Sequence, residues 1–188
     1  MKYLWMTLDN VLTNEQCDEL IQIAHTQGFK HAALGNDEEI GLKQSGYIDE
    51  DIRKAELALI PFKQLSWLQE SVTEALRYCN QQFRFDLDGF MDLQVIKYEV
   101  DSFFLAHLDI LTINSDMQRK VTFVIQLSNP DDYVGGDLCV WTKKEEDRMS
   151  RKKGSLHAFP SYLLHEVTPI LSGTRYVLIG WCFGPEFK

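Results

Sequence analysis

The sequence predicts an α+β fold, with N-terminal helices buttressing one β core of sandwich or barrel form, on three observations. Within the first 90 residues apolar side chains recur twice at helical intervals. From about Met91 the period changes to two, in short runs separated by turn residues. No proline- or glycine-rich linker, internal repeat or low-complexity tract parts the two halves. At 188 residues the chain has the length of one domain, able to bury about 70% of the surface its unfolded form exposes. Residues 1–188 are therefore read as one unit, 1–90 mainly helical support and 91–188 the β core.

The elements follow in order. In "LTNEQCDELIQIAHTQG", Thr13 or Asn14 serves as N-cap, Cys17, Leu20, Ile21 and Ala24 form one apolar face, and Gly28 ends the helix. Gly35 to Glu56 is polar, acidic and glycine-containing, which suits a loop or irregular strand region arching over something. A second helix begins at Pro61, where proline fits a first turn, and Leu65, Leu68, Val72, Ala75, Leu76 and Cys79 mark the stripe it packs against a sheet. The runs "MDLQVIKYE", "VTFVIQLS", "DLCVW", "SLHAFP", "LLHEVTP" and "TRYVLIGWCF" then read as strands. Gly135 and Gly136 form a tight turn between two of them.

Charge and composition narrow the function. The net charge is −9 and no basic stripe stands apart from acidic neighbours, so a phosphate-tracking surface, and with it nucleic acid as a partner, is not expected. The mixed run "KKEEDRMSRKKG" from Lys143 to Gly154 is a solvated loop whose "RKK" end could steer an acidic partner. Cys17, Cys79, Cys139 and Cys182 are scattered, with no CxxC, and read as buried thiols in a reducing compartment. The opening "MKYLWMTLDNV" is too short in apolar residues for a signal or a membrane span, so the expectation is a cytoplasmic protein with no membrane partner. No feature sets an oligomeric state.

The chemistry is suggested by "FLAHLDILTIN", where an apolar, strand-like segment carries a histidine and an aspartate two residues apart. On a strand, i and i+2 share a face, so His107 and Asp109 project side by side with Leu108 turned away. Chance alone supplies roughly 0.4 such triplets in a chain of this composition, and a strand-end histidine bonded to a turn carboxylate would look the same. His165, on a later strand-like run, could complete a face of two histidines and one carboxylate, a set with open positions that favours non-haem Fe(II) used with oxygen. His157 competes for that third place. Arg175, in an apolar strand, needs an anionic partner because it stays protonated. A dicarboxylate co-substrate or a buried aspartate or glutamate would serve. A zinc-holding or otherwise non-catalytic β-barrel binding module is the rival class, although structural zinc would want a fourth protein ligand.

Taken together these residues resemble the Fe(II)- and 2-oxoglutarate-dependent oxygenases, in particular the prolyl 4-hydroxylase-like branch. "LDNVLTNEQCDELIQIA" is similar to the branch's first helix, and "DEDIRKAELALIP" to its following arginine-containing segment. "LQVIKYEVDSFFLAHLD" is similar to the strand with a tyrosine nine residues before the first metal histidine. "RKVTFVIQLSNPDDYVGGDL" matches the core strand with its Gly-Gly-acidic turn, and "GSLHAFPSYLLHEVTPILSGTRYVLIGW" the strand pair with the last histidine, the basic residue and a tryptophan.

The resemblance implies a double-stranded β-helix core of jelly-roll or cupin-like form. It implies iron on His107, Asp109 and His165, leaving His157 as a core histidine. Arg175 would bind the distal carboxylate of 2-oxoglutarate, where prolyl 4-hydroxylases often have lysine and related bacterial hydroxylases arginine. Tyr98 would help hold the same co-substrate, and Trp181 would line the substrate side of the pocket. The implied reaction consumes 2-oxoglutarate and dioxygen, with ascorbate as a candidate reductant. It releases succinate and CO2 and hydroxylates an unactivated C–H, on a prolyl residue of a peptide or protein by analogy, or on a free amino acid or small metabolite. Gly35 to Glu50 and Ile110 to Gln118 are the candidate lids.

Overall fold

The computed structural model describes residues 4–34, 48–90, 92–110, 112–114 and 117–187, with the backbone alone given at 112–114. The first half runs β1 (Met6–Leu8), α1 (Asn14–Gln27), β2 (Lys30–His31), β3 (Arg53–Lys54), β4 (Glu56–Leu59), α2 (Ser66–Phe83) and β5 (Gly89–Phe90). The second runs β6 (Gln94–Tyr98), β7 (Phe103–His107), β8 (Thr112–Asn114), β9 (Met117–Gln126), β10 (Tyr133–Gly135), β11 (Leu138–Trp141) and β12 (Glu146–Arg148). It closes with β13 (Leu156–Pro160), β14 (His165–Val167), β15 (Ile170–Gly173) and β16 (Arg175–Pro185).

The strands form two facing antiparallel sheets, the double-stranded β-helix expected of the chain. The larger has the order β1-β13-β9-β16-β6-β4-β2, with β5 on β16 and β8 on β9; the smaller has the order β12-β11-β14-β7-β3. A separate pair, β10 with β15, closes one end. The helices cover the outer face of the larger sheet, as the two apolar stripes require. Cys17, Leu20 and Ala24 of α1 and Leu68, Val72, Leu76 and Cys79 of α2 share one core with Phe123, Ile125 and Leu178 of the sheet. A second core, with Ile96, Val124, Val140, Phe159 and Val177, lies between the sheets.

β16 shows how one strand serves both cores. Successive side chains alternate faces, so Arg175, Val177, Ile179 and Trp181 line the cavity between the sheets, while Leu178 and Cys182 pack toward the helices. Gly180 falls where a Cβ would meet Leu93 and Phe123, so only glycine lets the strand lie this close to them.

α1 starts where the sequence predicts. Thr13 is its N-cap, in a capping box with Gln16, and Gly28 at φ 84° ends it. α2 starts later than the Pro61 expected. A 3-10 turn over Phe62–Gln64 comes first, and Leu65 at φ −110°, ψ 81° breaks from it before the α-helix begins at Ser66. Among the described residues the first 90 also hold five strands, four of them on the larger sheet and β3 on the smaller. Runs of two to four residues are too short for alternation to be legible. All four cysteines are buried free thiols, and burial pushes Cys17 and Cys139 up to about 11 and Cys79 to about 12.

His157 is a core histidine. It is fully buried, with Nδ1 2.8 Å from Thr7 Oγ1 and Nε2 2.8 Å from the Ser150 carbonyl. Burial pushes it down from 6.5 to about 4, against the opposing pull of the Ser150 carbonyl. Between those two values the unfolded chain binds a proton that the folded chain does not, so stability rises with pH through the window. It is complete above about pH 6.5 and falls by up to about 3 kcal/mol on acidification toward pH 4. Melting curves across that range are expected to show the loss in the parent protein and a flatter profile in His157→Gln.

Candidate metal centre

β7 and β14 are neighbours in the smaller sheet, and their pairing sets His107 directly opposite His165, with ring centroids 4.2 Å apart. Asp109 lies just beyond the end of β7, where its N–H donates to the Ser161 carbonyl at 2.9 Å. That bond turns the aspartate back toward the two imidazoles and leaves Leu108 exposed between them. Asp109 Oδ1 is 3.6 Å from His107 Nε2 and Oδ2 is 3.4 Å from His165 Nε2. One donor atom from each residue lies within 4.8 Å of the others. Among the described residues this is the group that could hold a metal ion, and His157 is not in it.

Both imidazoles are oriented for coordination. His107 Nδ1 lies 2.7 Å from the Leu105 carbonyl, and His165 Nδ1 2.9 Å from the Leu163 carbonyl. A carbonyl only accepts, so each Nδ1 carries a proton, and Nε2, turned toward Asp109, is the ring nitrogen left for a metal ion. Burial disfavours charge on Asp109, but His165 and His107 outweigh it and hold the carboxyl well below its ordinary range. Burial likewise works against charge on His165, and Asp109 more than reverses it. Two Nε2 atoms and one carboxylate on a single side, with the cavity on the other, fit a divalent cation that takes the place of the Nε2 proton and keeps open positions.

Asp109 is itself held. Its Oδ2 accepts from Thr122 Oγ1 at 2.9 Å and from Trp181 Nε1 at 2.9 Å. Thr122 and Trp181 are cross-strand partners on β9 and β16, so sheet register aims both donors at one oxygen. Trp181, expected as a lining residue, therefore lines the cavity and also grips the carboxylate. The Arg119 guanidinium stacks 3.9 Å over its ring. Replacing Trp181 by phenylalanine keeps the ring and deletes the donor. The expected result is a fall in metal affinity of about 10- to 100-fold, read by Mn(II) titration in electron paramagnetic resonance; an unchanged affinity would reduce the indole to packing.

Arg175 stands at the other end of the same cavity, 1% exposed and paired across strands with Tyr98. Nε and Nη2 donate to Gln126 Oε1 at 3.3 and 3.1 Å, and Nη1 is buried with no partner. The buried carboxylate that would make Arg175 a structural ion pair is not found among the described residues. A neutral amide leaves the charge uncompensated, which fits an anionic ligand reaching it through the cavity. Gly136, at φ 63°, clears the way: a Cβ there would strike Ile170 and come within 3.2 Å of Arg175 Cδ. Tyr98 is buried beside the guanidinium, which lies 5.5 Å from its ring.

The cavity measures about 480 Å³ and holds every residue singled out from the sequence for this site. Of the candidate lids, Ile110 lines it; residues 35–47, 111, 115 and 116 lie outside the described residues. Thr122, Gln126, Phe104 and Arg53 were not singled out. The first two are polar side chains four residues apart inside the apolar run "VTFVIQLS", a spacing that puts both on one face of a strand and could have marked them.

Comparison with known proteins finds likenesses of family and of fold. The family model described as the 2OG-Fe(II) oxygenase superfamily matches residues 93–183, the segment that carries all three donors and Arg175. A PKHD-type hydroxylase of Crocosphaera subtropica is 28% identical over 94% of this chain and 77% of its own length. Another, of Gloeothece citriformis, is 35% identical over 45% of this chain and 39% of its own. Among solved structures, a Pseudomonas putida prolyl-4-hydroxylase aligns with TM-score 0.72 at 24% identity, over 96% of this chain and 93% of that one. A Trichoplax adhaerens prolyl hydroxylase, solved with a peptide fragment of the hypoxia inducible factor oxygen degradation domain, aligns with TM-score 0.77 at 21% identity. That alignment covers 97% of this chain and 84% of the other. At these identities the structural likeness carries the fold.

Proposed function

Because the chain belongs to the 2OG-Fe(II) oxygenase superfamily and is a 2-oxoglutarate-dependent dioxygenase, we propose that it hydroxylates a prolyl residue of a peptide or protein. In this reading His107, Asp109 and His165 hold Fe(II), Arg175 holds the distal carboxylate of 2-oxoglutarate with help from Tyr98, and ascorbate serves as reductant. The observation that carries it is the placing of three donor atoms at one end of a single cavity and an anion-seeking guanidinium at the other. The peptide-bound relative of the same fold supports a polypeptide substrate.

When bound, Fe(II) and 2-oxoglutarate would supply the oxidising chemistry with dioxygen, one oxygen atom of which enters succinate as the co-substrate loses CO2 while the other enters a C–H bond. The protein supplies position and exclusion. His107, Asp109 and His165 would hold the ion, and the cavity they line is where co-substrate and dioxygen would reach it. Thr122 and Trp181 fix the carboxylate, and the carbonyls of Leu105 and Leu163 fix the imidazoles. Arg175 would set the direction in which the co-substrate lies through its unpartnered Nη1. Val177, Ile179 and Leu138 make the walls apolar and keep water from the reacting centre.

The test is succinate formation from 2-oxoglutarate with added Fe(II) and ascorbate, followed by a screen of proline-containing peptides, free amino acids and small metabolites for a mass gain of one oxygen. Oxygen in a prolyl peptide is the expected result. Oxygen only in a free amino acid or metabolite would reassign the substrate, and no succinate under any condition would remove the reaction.

A further inference from the structure

Arg53 is a second guanidinium in the cavity wall, with no part in the site as described above. β3 pairs it with Phe104 of β7, and its side chain is nine-tenths buried. The guanidinium carbon lies 4.7 Å from the Phe104 ring centroid, and that ring stacks 3.5 Å from His107. Arg53 is thus one aromatic ring away from the metal triad. Nη1 donates to the Ala33 carbonyl at 3.3 Å, whereas Nε is buried with no partner. Among the described residues no carboxylate lies within ion-pair distance of it. The unengaged edge of Nε and Nη2 is one that forks onto a carboxylate.

The charge of the cavity points the same way. Among the described residues Lys30, His31, Arg53, Arg119 and Arg175 line it against Asp109 as the one acidic residue, in a chain whose net charge is −9. Fe(II) and Arg175 together balance Asp109 and the two carboxylates of 2-oxoglutarate. Arg53 is left over. A neutral prolyl peptide would offer it carbonyl dipoles alone, and a buried guanidinium without a counter-charge is unfavourable.

We propose that Arg53 forms a substrate-carboxylate subsite, so that the favoured substrate carries a carboxylate near the C–H that is hydroxylated. That carboxylate is either the terminal one of the target residue or an acidic side chain beside it. The inference rests on the hydroxylase reading above and adds the charge of the substrate to it.

Two matched pairs separate the sources: N-acetyl-L-proline against N-acetyl-L-prolinamide, and capped Glu-Pro-Gly against capped Gln-Pro-Gly. Each is assayed with Fe(II) and 2-oxoglutarate for oxygen incorporation, and each is bound by calorimetry to the protein with 2-oxoglutarate saturating and oxygen excluded. The acidic member of one pair is expected to exceed its amide by about 10- to 100-fold in kcat/KM and in affinity, the size of a charged hydrogen bond. Arg53→Gln erases that preference, Arg53→Lys retains part of it, and the 2-oxoglutarate requirement stays within about twofold in both. Equal binding of acid and amide in both pairs overturns the subsite, whether or not either is turned over. A raised 2-oxoglutarate requirement in Arg53→Gln with the acid preference intact would place Arg53 on the co-substrate and also overturn it. Absence of succinate in the parent protein is a separate result that bears on the hydroxylase reading.

Discussion

Asp109→Asn is expected to abolish Fe(II)-dependent succinate formation and to lower metal affinity by more than the roughly 10- to 100-fold typical of losing a partner that merely orients a ligand. The substitution is chosen over alanine for a structural reason. Asp109 Oδ2 accepts from Thr122 Oγ1 and Trp181 Nε1, and alanine would leave two buried donors without an acceptor, at about 1–3 kcal/mol each. Asparagine keeps an acceptor oxygen and removes the charge. A protein that melts near the parent temperature yet neither binds Mn(II) tightly nor makes succinate is the expected outcome. Parent-level turnover in the asparagine variant would strike Asp109 from the ligand set.

Arg175→Gln should raise the 2-oxoglutarate requirement by about 10²- to 4 × 10³-fold, from the roughly 3–5 kcal/mol lost when one partner of a buried pair is removed. The effect on the ligand-free protein has the opposite sign. There the guanidinium is 1% exposed, donates to the Gln126 carbonyl oxygen and leaves Nη1 unpartnered among the described residues. Removing such a charge is neutral or stabilising. Melting curves with and without 2-oxoglutarate therefore separate the roles: added co-substrate stabilises the parent through mass action and leaves the variant unmoved. If Arg175→Gln instead melts several degrees lower and keeps the parent requirement, Arg175 is a structural residue.

Much of this site is legible before any coordinates. The i, i+2 spacing of His107 and Asp109 is a local property of the backbone, and it holds even though Asp109 falls past the strand end. An arginine inside "TRYVLIGWCF" announces itself by its surroundings. His165, by contrast, becomes a candidate only because histidines are few; its place opposite His107 depends on strand register, which no local pattern encodes. The same is true of Trp181 and Thr122, which converge on Asp109 because two strands 59 residues apart are in register at that pair. Arg53 is hidden for a different reason. Its strand is two residues long, so nothing nearby shows which way its side chain faces.

β16 interleaves the residues that line the cavity with those that anchor the helices, at alternating positions. A single-residue insertion or deletion between Arg175 and Trp181 would invert the parity of every position beyond it, driving guanidinium or indole among the aliphatic side chains of the helical layer and aliphatics into the cavity. Drift along this strand is thereby confined to exchanges at fixed length, and a lineage cannot erode its chemistry here by frameshift of the ladder without dismantling its own scaffold.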